Sequence, residues 1–365
     1  MKDFIFRNDT KLLFRNDIRE TILEIAEGHK IMFVYGGGSA ERNGCRDDVV
    51  RTLTENNIPF VEYGGASREF QKTEEGIRLA RANGVTMIIG AGGASVMDCA
   101  KLMALGFYHE SNLWEYVKGR NPYGLEHLPL ALIPTYPSSG SENGLGAVAV
   151  DSRTGDFGTA YGIAADYAML GPRYSLTLDR EMTAYTGLVT LVQLSACVLG
   201  DKNKMSYDAG ISYIRNVLEA TRTLQKNPDD LDARGIIMLG ASLSTSSRIG
   251  IGKEEPFAYD IYELEFLPEK LFGSTYRRSL TSIFPRFLAA MGRHHAAEVE
   301  KYCRDAFGFG SSIEESSRKL IELFSGFGAE MYFDGKISRE QVDSIPCRTE
   351  LTPNEVFELM NSLIR

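Results

Sequence analysis

Between residues 17 and 109, apolar positions alternate between 3.6-residue stripes and short continuous runs. The stripes predict helices over 17–27, 42–56, 70–83 and 95–107, and the runs predict strands over 31–35, 59–63 and 85–89. Strand–helix alternation of this kind predicts a parallel sheet with helices on both faces. Three further runs, Leu130–Pro134, Gly146–Val150 and Tyr167–Leu170, add strands. Residues 4–6 and 12–14 read as short strands without an obvious partner in their own chain. They predict a homodimer formed by pairing with a second copy.

After Gly171-Pro172 the pattern changes to long helical periodicity over 178–201, 206–224, 228–249, 255–270, 276–292, 295–307, 312–328, 338–345 and 353–364. Thr352 as N-cap with Pro353 at the first helical position starts the last of these. The expected organisation is an α/β dinucleotide-binding domain over 1–172 and an all-helical domain over 173–365.

Three polar turns interrupt the α/β segment. An apolar run from Val85 to Ile89 enters the turn Gly90-Ala91-Gly92-Gly93-Ala94-Ser95, and a helical pattern containing Asp98 and Lys101 leaves it. Upstream, the 31–35 strand runs into Gly36-Gly37-Gly38-Ser39. Downstream, the apolar run 128–133 enters Pro134-Thr135-Tyr136-Pro137-Ser138-Ser139-Gly140-Ser141-Glu142. Ligands of open parallel sheets bind at the carboxyl ends of the strands, so three such ends predict one nucleotide site. Backbone N–H groups at the central strand–turn–helix junction suit a diphosphate. The spacing departs from the single-turn GxGxxG fingerprint, which disfavours a plain Rossmann unit.

Composition narrows the partners. The 365-residue chain carries a net charge of -9 and no basic cluster longer than Arg277-Arg278, which argues against nucleic acid or an anionic membrane surface. No apolar stretch reaches the roughly 20 residues of a membrane helix, and the start of the chain has no signal-type apolar core. Five scattered cysteines without CxxC spacing suit reduced thiols in a cytoplasm.

With these three turns in this order ahead of a helical half, the chain resembles the iron-containing alcohol dehydrogenase family, in its NADPH-preferring butanol dehydrogenase and aldehyde reductase branch. The resemblance rests on Tyr35-Gly36-Gly37-Gly38-Ser39, on Gly92-Gly93-Ala94-Ser95-Val96-Met97-Asp98 with Lys101, and on Pro137-Ser138-Ser139-Gly140-Ser141-Glu142. Gly250-Ile251-Gly252 and Ala258 carry it into the helical half. It implies a dehydroquinate synthase-like fold and a dinucleotide in the cleft between two domains. The cofactor contacts it implies are Gly36, Gly37, Gly38, Ser39, Gly92, Gly93, Ser95, Asp98, Thr135, Ser138, Ser139 and Ser141. The first turn would face the adenosine ribose. Small residues there, with no carboxylate, lean towards NADP(H) over NAD(H).

The same resemblance implies a divalent metal held by one aspartate and three histidines, and here the pattern breaks. Val189 stands at the aspartate position and Gln193 at the first histidine. Asp260, Leu264 and Tyr276 stand at the later histidine positions. Phe157 replaces a lysine near the cofactor, Gly171 replaces an aspartate, and Ala94 replaces a glycine. All five histidines lie elsewhere, at 29, 109, 127, 294 and 295. The expectation is therefore an NAD(P)-dependent oxidoreductase of a small alcohol or carbonyl, without the family's iron or zinc site. Tyr276 is its candidate proton donor, with Arg277 or Arg278 as the cation, and Asp260 is a second candidate catalytic residue. Tyr276 packing in the cleft beside solvated arginines is the plainer alternative. Asp260, Glu263 and Glu265 read either as a solvated helix face or, with Gln193, as a site for a hard cation. His294-His295 with Glu298 and Glu300 reads as an exposed helix face or a metal site. Two other functions stay open: a non-catalytic nucleotide-binding or regulatory protein on this scaffold, and metal-dependent cyclisation of a sugar phosphate.

Overall fold

The computed structural model describes residues 3–254, 256–310 and 312–365. Two compact units emerge. The α/β unit comprises Arg7–Leu178 together with Ala241–Ser246, and the helical unit comprises Asp179–Gly240 and Ser247–Arg365 with the residues before Arg7.

In the α/β unit the strands are β1 (Lys11–Phe14), β2 (Ile31–Tyr35), β3 (Phe60–Tyr63), β4 (Met87–Gly92), β5 (Leu130–Pro134), β6 (Gly146–Val150), β7 (Phe157–Tyr161) and β8 (Tyr167–Leu170). Six of them form one sheet in the order β1-β8-β5-β4-β2-β3, every neighbouring pair parallel. The helices are α1 (Arg19–Ala26), α2 (Ser39–Arg42), α3 (Cys45–Glu55), α4 (Phe70–Ala82), α5 (Ala94–His109) and α6 (Leu113–Val117). Successive strand side chains point to opposite faces, so a strand buried on both sides must be apolar throughout. Ile31, Phe33, Ile89, Ala91, Ala131 and Ile133 join Ile22, Val49 and Leu53 in one core. Met32, Val34, Ile88, Leu130 and Leu132 join Ile77, Ala100 and Met103 in the other.

Several expectations need correction. Residues 4–6 form no strand; Phe4, Ile5 and Phe6 are exposed. Leu12, Leu13 and Phe14 do form a strand, but β1 finds its partner inside the chain by pairing with β8 from Lys11↔Tyr167 to Phe14↔Leu170. The argument for a partner strand from a second copy therefore fails at β1. β4 begins at Met87 and continues through Gly92, so Gly90, Ala91 and Gly92 are strand residues rather than turn residues. β6 lies outside the main sheet in an antiparallel hairpin with β7. The segment β7 carried no apolar run strong enough to announce it.

The helical unit contains α7 (Arg180–Val198), α8 (Lys204–Lys226), most of α9 (Leu231–Thr245), α10 (Ile261–Leu264), α11 (Phe266–Phe272), α12 (Tyr276–Met291), α13 (Ala296–Phe307), α14 (Ile313–Gly326), α15 (Arg339–Asp343) and α16 (Pro353–Asn361). The Asp179 carboxylate caps α7 by accepting from Met182 N at 2.7 Å, and every residue from Thr183 to Val198 is buried. A helix apolar all round belongs at the centre of its unit. The helix expected over 255–270 breaks into a 3-10 turn, Phe257–Asp260, followed by α10 and α11; Glu255 lies outside the described residues. Thr352 caps α16 as expected, in a reciprocal box with Glu355.

Candidate functional site

The carboxyl ends of β2, β4 and β5 lie side by side, because Tyr35 pairs with Ala91 and Gly92 pairs with Pro134. Gly93 turns the chain from β4 into α5, and its carbonyl accepts from Val96 N and Met97 N. Between residues 87 and 106 only Gly93, Ala94 and Ser95 reach solvent. Close packing forces the glycines beneath them. A Cβ on Gly90 would lie 2.9 Å from Ala100 Cβ and from Leu132 Cδ2, and one on Gly92 would lie 2.7 Å from Val96 Cβ. Helix α5 is thereby drawn onto the sheet with its N-terminal N–H groups open, the arrangement that suits an anionic diphosphate.

The predicted cofactor residues separate by exposure. Gly37, Gly38, Ser39, Gly93, Ser95 and Ser139 reach solvent. Gly36, Gly92, Asp98, Thr135, Ser138 and Ser141 are buried. Thr135 N donates to Gly92 O at 2.9 Å, which locks the β5 turn to the β4 end. Asp98 accepts from Ser141 Oγ at 2.6 Å and from Val148 N at 3.2 Å, tying α5 to the third turn and to β6. Burial raises its carboxyl pKa, and Lys101 and Arg68 oppose that rise.

Lys101 and Glu142, quoted above only as parts of motifs, complete this support. Lys101 Nζ donates to Gly144 O at 2.7 Å and to Gly146 O at 2.9 Å, and burial lowers its pKa to about 8. Glu142 is buried and accepts from Ser242 Oγ; burial raises its pKa. Asn143 Nδ2 donates to Ser242 O at 3.1 Å, and Thr245 Oγ1 to Gly140 O at 2.6 Å. Gly140 has φ +66, and a Cβ there would sit 2.1 Å from Ala241 O. The last turns of α9 are thus built into the third turn's floor. The signal for Lys101 was in the sequence: with Met97, Ala100 and Ala104 it continues the i, i+3, i+4, i+7 stripe that α5 buries.

In the helical unit, Val189 and Gln193 lie one turn apart on α7, both buried. Tyr276 opens α12, and Gln193 Nε2 donates to its hydroxyl at 3.2 Å. Leu264 is buried. Asp260 Oδ2 accepts from Glu350 N at 2.8 Å, so this carboxylate fastens the 3-10 turn to the segment before α16. Valine and leucine offer no donor atom, and Gln193 offers a single neutral amide oxygen. These positions do not fit a divalent cation, which needs several nitrogen, sulfur or oxygen ligands. Among the described residues no three His, Cys, Asp or Glu side chains gather around a metal-sized space, and that includes Asp260, Glu263 and Glu265. His294 and His295 instead face Glu355 and Glu350, at 2.9 Å and 2.5 Å, and His295 stacks on Phe257. Two other departures lie in the α/β unit. Gly171 leaves room for the Tyr174 ring, 2.8 Å from where a Cβ would stand, and Phe157 is exposed on β7.

Comparison with known proteins matches residues 9–174 to the model of the iron-containing alcohol dehydrogenase family. The chain is 29% identical to NADH-dependent butanol dehydrogenase B of Clostridium acetobutylicum, over 73% of this chain and 70% of that protein. It is 25% identical to the NADPH-dependent aldehyde reductase YqhD of Escherichia coli, over 78% of this chain and 75% of that one. Its fold matches the crystal structure of an NADH-dependent butanol dehydrogenase A from Thermotoga maritima with a TM-score of 0.90, at 23% identity, covering 100% of this chain and 99% of that chain.

Proposed function

Because the chain belongs to the iron-containing alcohol dehydrogenase family, we propose that it reduces a small aldehyde or ketone with NAD(P)H, or runs the reverse oxidation, without the family's metal. It is an NAD(P)-dependent oxidoreductase of the alcohol dehydrogenase type. The observation that carries the cofactor reading is the row of three adjacent strand ends, where Gly93, Ala94 and Ser95 are the only residues between 87 and 106 that reach solvent. Gly37, Gly38, Ser39 and Ser139 would make the remaining direct contacts. Asp98, Thr135, Ser138 and Ser141, being buried, would position the turns.

In the reduction, a bound NAD(P)H would supply the hydride for the carbonyl carbon, and the chain must supply the proton that turns the oxygen into the alcohol. Tyr276 is the proposed donor of that proton. Gln193 donates a hydrogen bond to the Tyr276 hydroxyl oxygen, which favours the phenolate left behind. Asp260, held by Glu350 N, would act at a distance from the reacting atoms by fixing its turn.

The finer readings are a homodimer, supported by the exposed Phe14 on β1, which is an edge strand of the sheet, and a cytoplasmic location, supported by five cysteines that form no disulfide. No described helix is long and apolar enough to cross a membrane.

Turnover of an aldehyde panel, with and without chelator and with added zinc or iron, tests the proposal alongside NADPH and NADH titrations. We expect chelator-insensitive turnover, and expect Tyr276→Phe to lower kcat by about 100-fold or more with cofactor affinity unchanged. Turnover that requires added metal, or stoichiometric metal in dialysed active protein, would overturn the metal-free mechanism. Cofactor binding without any turnover would favour a regulatory protein.

A further inference from the structure

The first turn has an electrostatic arrangement that the motif alone does not reveal. Two arginines flank it, and they differ. Arg46 is committed: its Nε and Nη2 donate to the two Glu62 carboxylate oxygens at 2.8 and 3.0 Å, and its Nε lies 3.3 Å from Tyr35 Oη. Glu41 lies 4.0 Å away on the same guanidinium. Arg42 has no carboxylate partner and no side-chain hydrogen bond among the described residues, and it is exposed. Its side chain folds back over the turn, with Nη1 3.2 Å from where a Cβ on Gly38 would stand. Gly38 has φ +106, and nothing lies within 4 Å of the Cβ position of Gly37. A free cation therefore stands over an open, carboxylate-free turn, while both nearby carboxylates face Arg46.

The direction in which a bound dinucleotide runs follows from what is open. With the diphosphate at Gly93 and Ser95, the adjoining ribose must lie over a neighbouring strand end, one strand spacing of about 4.8 Å away. On the β5 side only Tyr136 and Ser139 reach solvent, since Thr135, Ser138, Gly140 and Ser141 are buried and a Cβ on Gly140 would meet Ala241 O. On the β2 side Gly37, Gly38 and Ser39 reach solvent. The adenosine ribose of a dinucleotide bound here comes to the β2 turn, within reach of Arg42.

We propose that Arg42 binds the 2′-phosphate of NADP(H) and so sets a preference for NADP(H) over NAD(H). The inference rests on the cofactor site proposed above. A guanidinium offers a fork of donors to phosphate oxygens, with Ser39 Oγ as a further donor, and the 2′-hydroxyl of NAD(H) cannot repay it equally.

Fluorescence titrations of the wild-type chain, Arg42→Ala and Arg42→Lys with NADPH and with NADH test this. We expect the wild type to bind NADPH at least about tenfold more tightly than NADH. Arg42→Ala should weaken NADPH at least about tenfold and leave NADH within about twofold, and Arg42→Lys should fall between. Unchanged NADPH affinity in Arg42→Ala, or equal loss of both cofactors, would overturn the role of Arg42 while leaving the cofactor site standing. A wild type that binds neither cofactor would overturn both. Arg42 is exposed, and an unshifted Tm in the variants would exclude misfolding as the cause.

Discussion

The α/β unit and the helical unit hold their polar side chains in opposite ways. In the α/β unit they belong to a handful of strand ends, where backbone pairing brings Tyr35, Gly92 and Pro134 into line before any side chain is considered. Among its buried charges, Asp98, Lys101 and Glu142 are each held by hydroxyls, carbonyls or a backbone N–H. In the helical unit the corresponding cluster must be gathered from α7, α10 and α12, which are distant in sequence. There the buried helix faces carry Val189 and Leu264, which fill core space without any desolvation cost. A site built from strand ends is tied to the fold. A site built from helix faces can be replaced residue by residue while the helices pack as before.

The largest effect should come from breaking a buried charge in the α/β unit. Asp98→Ala removes the acceptor of Ser141 Oγ and Val148 N and takes a counter-charge from near Lys101, so we expect a loss of about 3–5 kcal/mol in denaturant unfolding. Gln193→Leu in the helical unit should cost only about 1 kcal/mol. Equal costs would end the contrast between the two units.

Glycine packing gives a finer comparison, because both units use it. A Cβ on Gly92 would lie 2.7 Å from Val96 Cβ, and one on Gly187 would lie 2.0 Å from Thr221 Oγ1. Either alanine variant should lose about 1–3 kcal/mol by overpacking. Only Gly92→Ala should also weaken NADPH, since Val96 belongs to the first turn of α5. If Gly187→Ala weakens the cofactor as much, the strand-end reading of the site is wrong.

This contrast also explains what could be read from the sequence. The strands β2, β5 and β8 and the three polar turns were legible because double-sided burial demands unbroken apolar runs and sharp turns demand small residues. The extension of β4 through Gly92 was hidden, because glycine signals a turn and a close helix–strand contact equally well. Gly90 and Gly92 serve the second purpose. The partner of β1 was invisible for another reason: β8 lies more than a hundred residues later in the chain, and parallel pairing leaves no local mark. The break after the 3-10 turn at Asp260 was equally hidden, since it depends on Glu350 N reaching back to the Asp260 carboxylate. In the helical unit, the residues that stand at the family's ligand positions, Val189, Gln193, Asp260, Leu264 and Tyr276, could be read from residue identity alone. The Gln193–Tyr276 hydrogen bond could not, because it joins helices 83 positions apart.

The smallest effect tests one titrating anchor of the helical unit. Glu355 accepts from Thr352 N at 2.9 Å and from Thr352 Oγ1 at 2.8 Å, and it faces His294. The Thr352 hydrogen bonds, with help from His294, hold its pKa at about 2, below the usual carboxylate range. A carboxyl group whose folded pKa is depressed stabilises the fold above its unfolded pKa, near 4.5, and that stabilisation is lost as pH falls from about 4.5 towards 2. Thermal unfolding of the wild type should therefore weaken across that window more steeply than that of Glu355→Gln. Thr352→Ala should cost about 1 kcal/mol at neutral pH through the lost cap. Parallel pH profiles for the wild type and Glu355→Gln would mean that the acid sensitivity of the chain lies in other carboxylates held low by hydrogen bonds, such as Asp17 beside Arg19 and Asp151 beside Arg153 in the α/β unit, and not in Asp98 or Glu142, whose pKa values burial raises and which therefore favour the fold as pH falls.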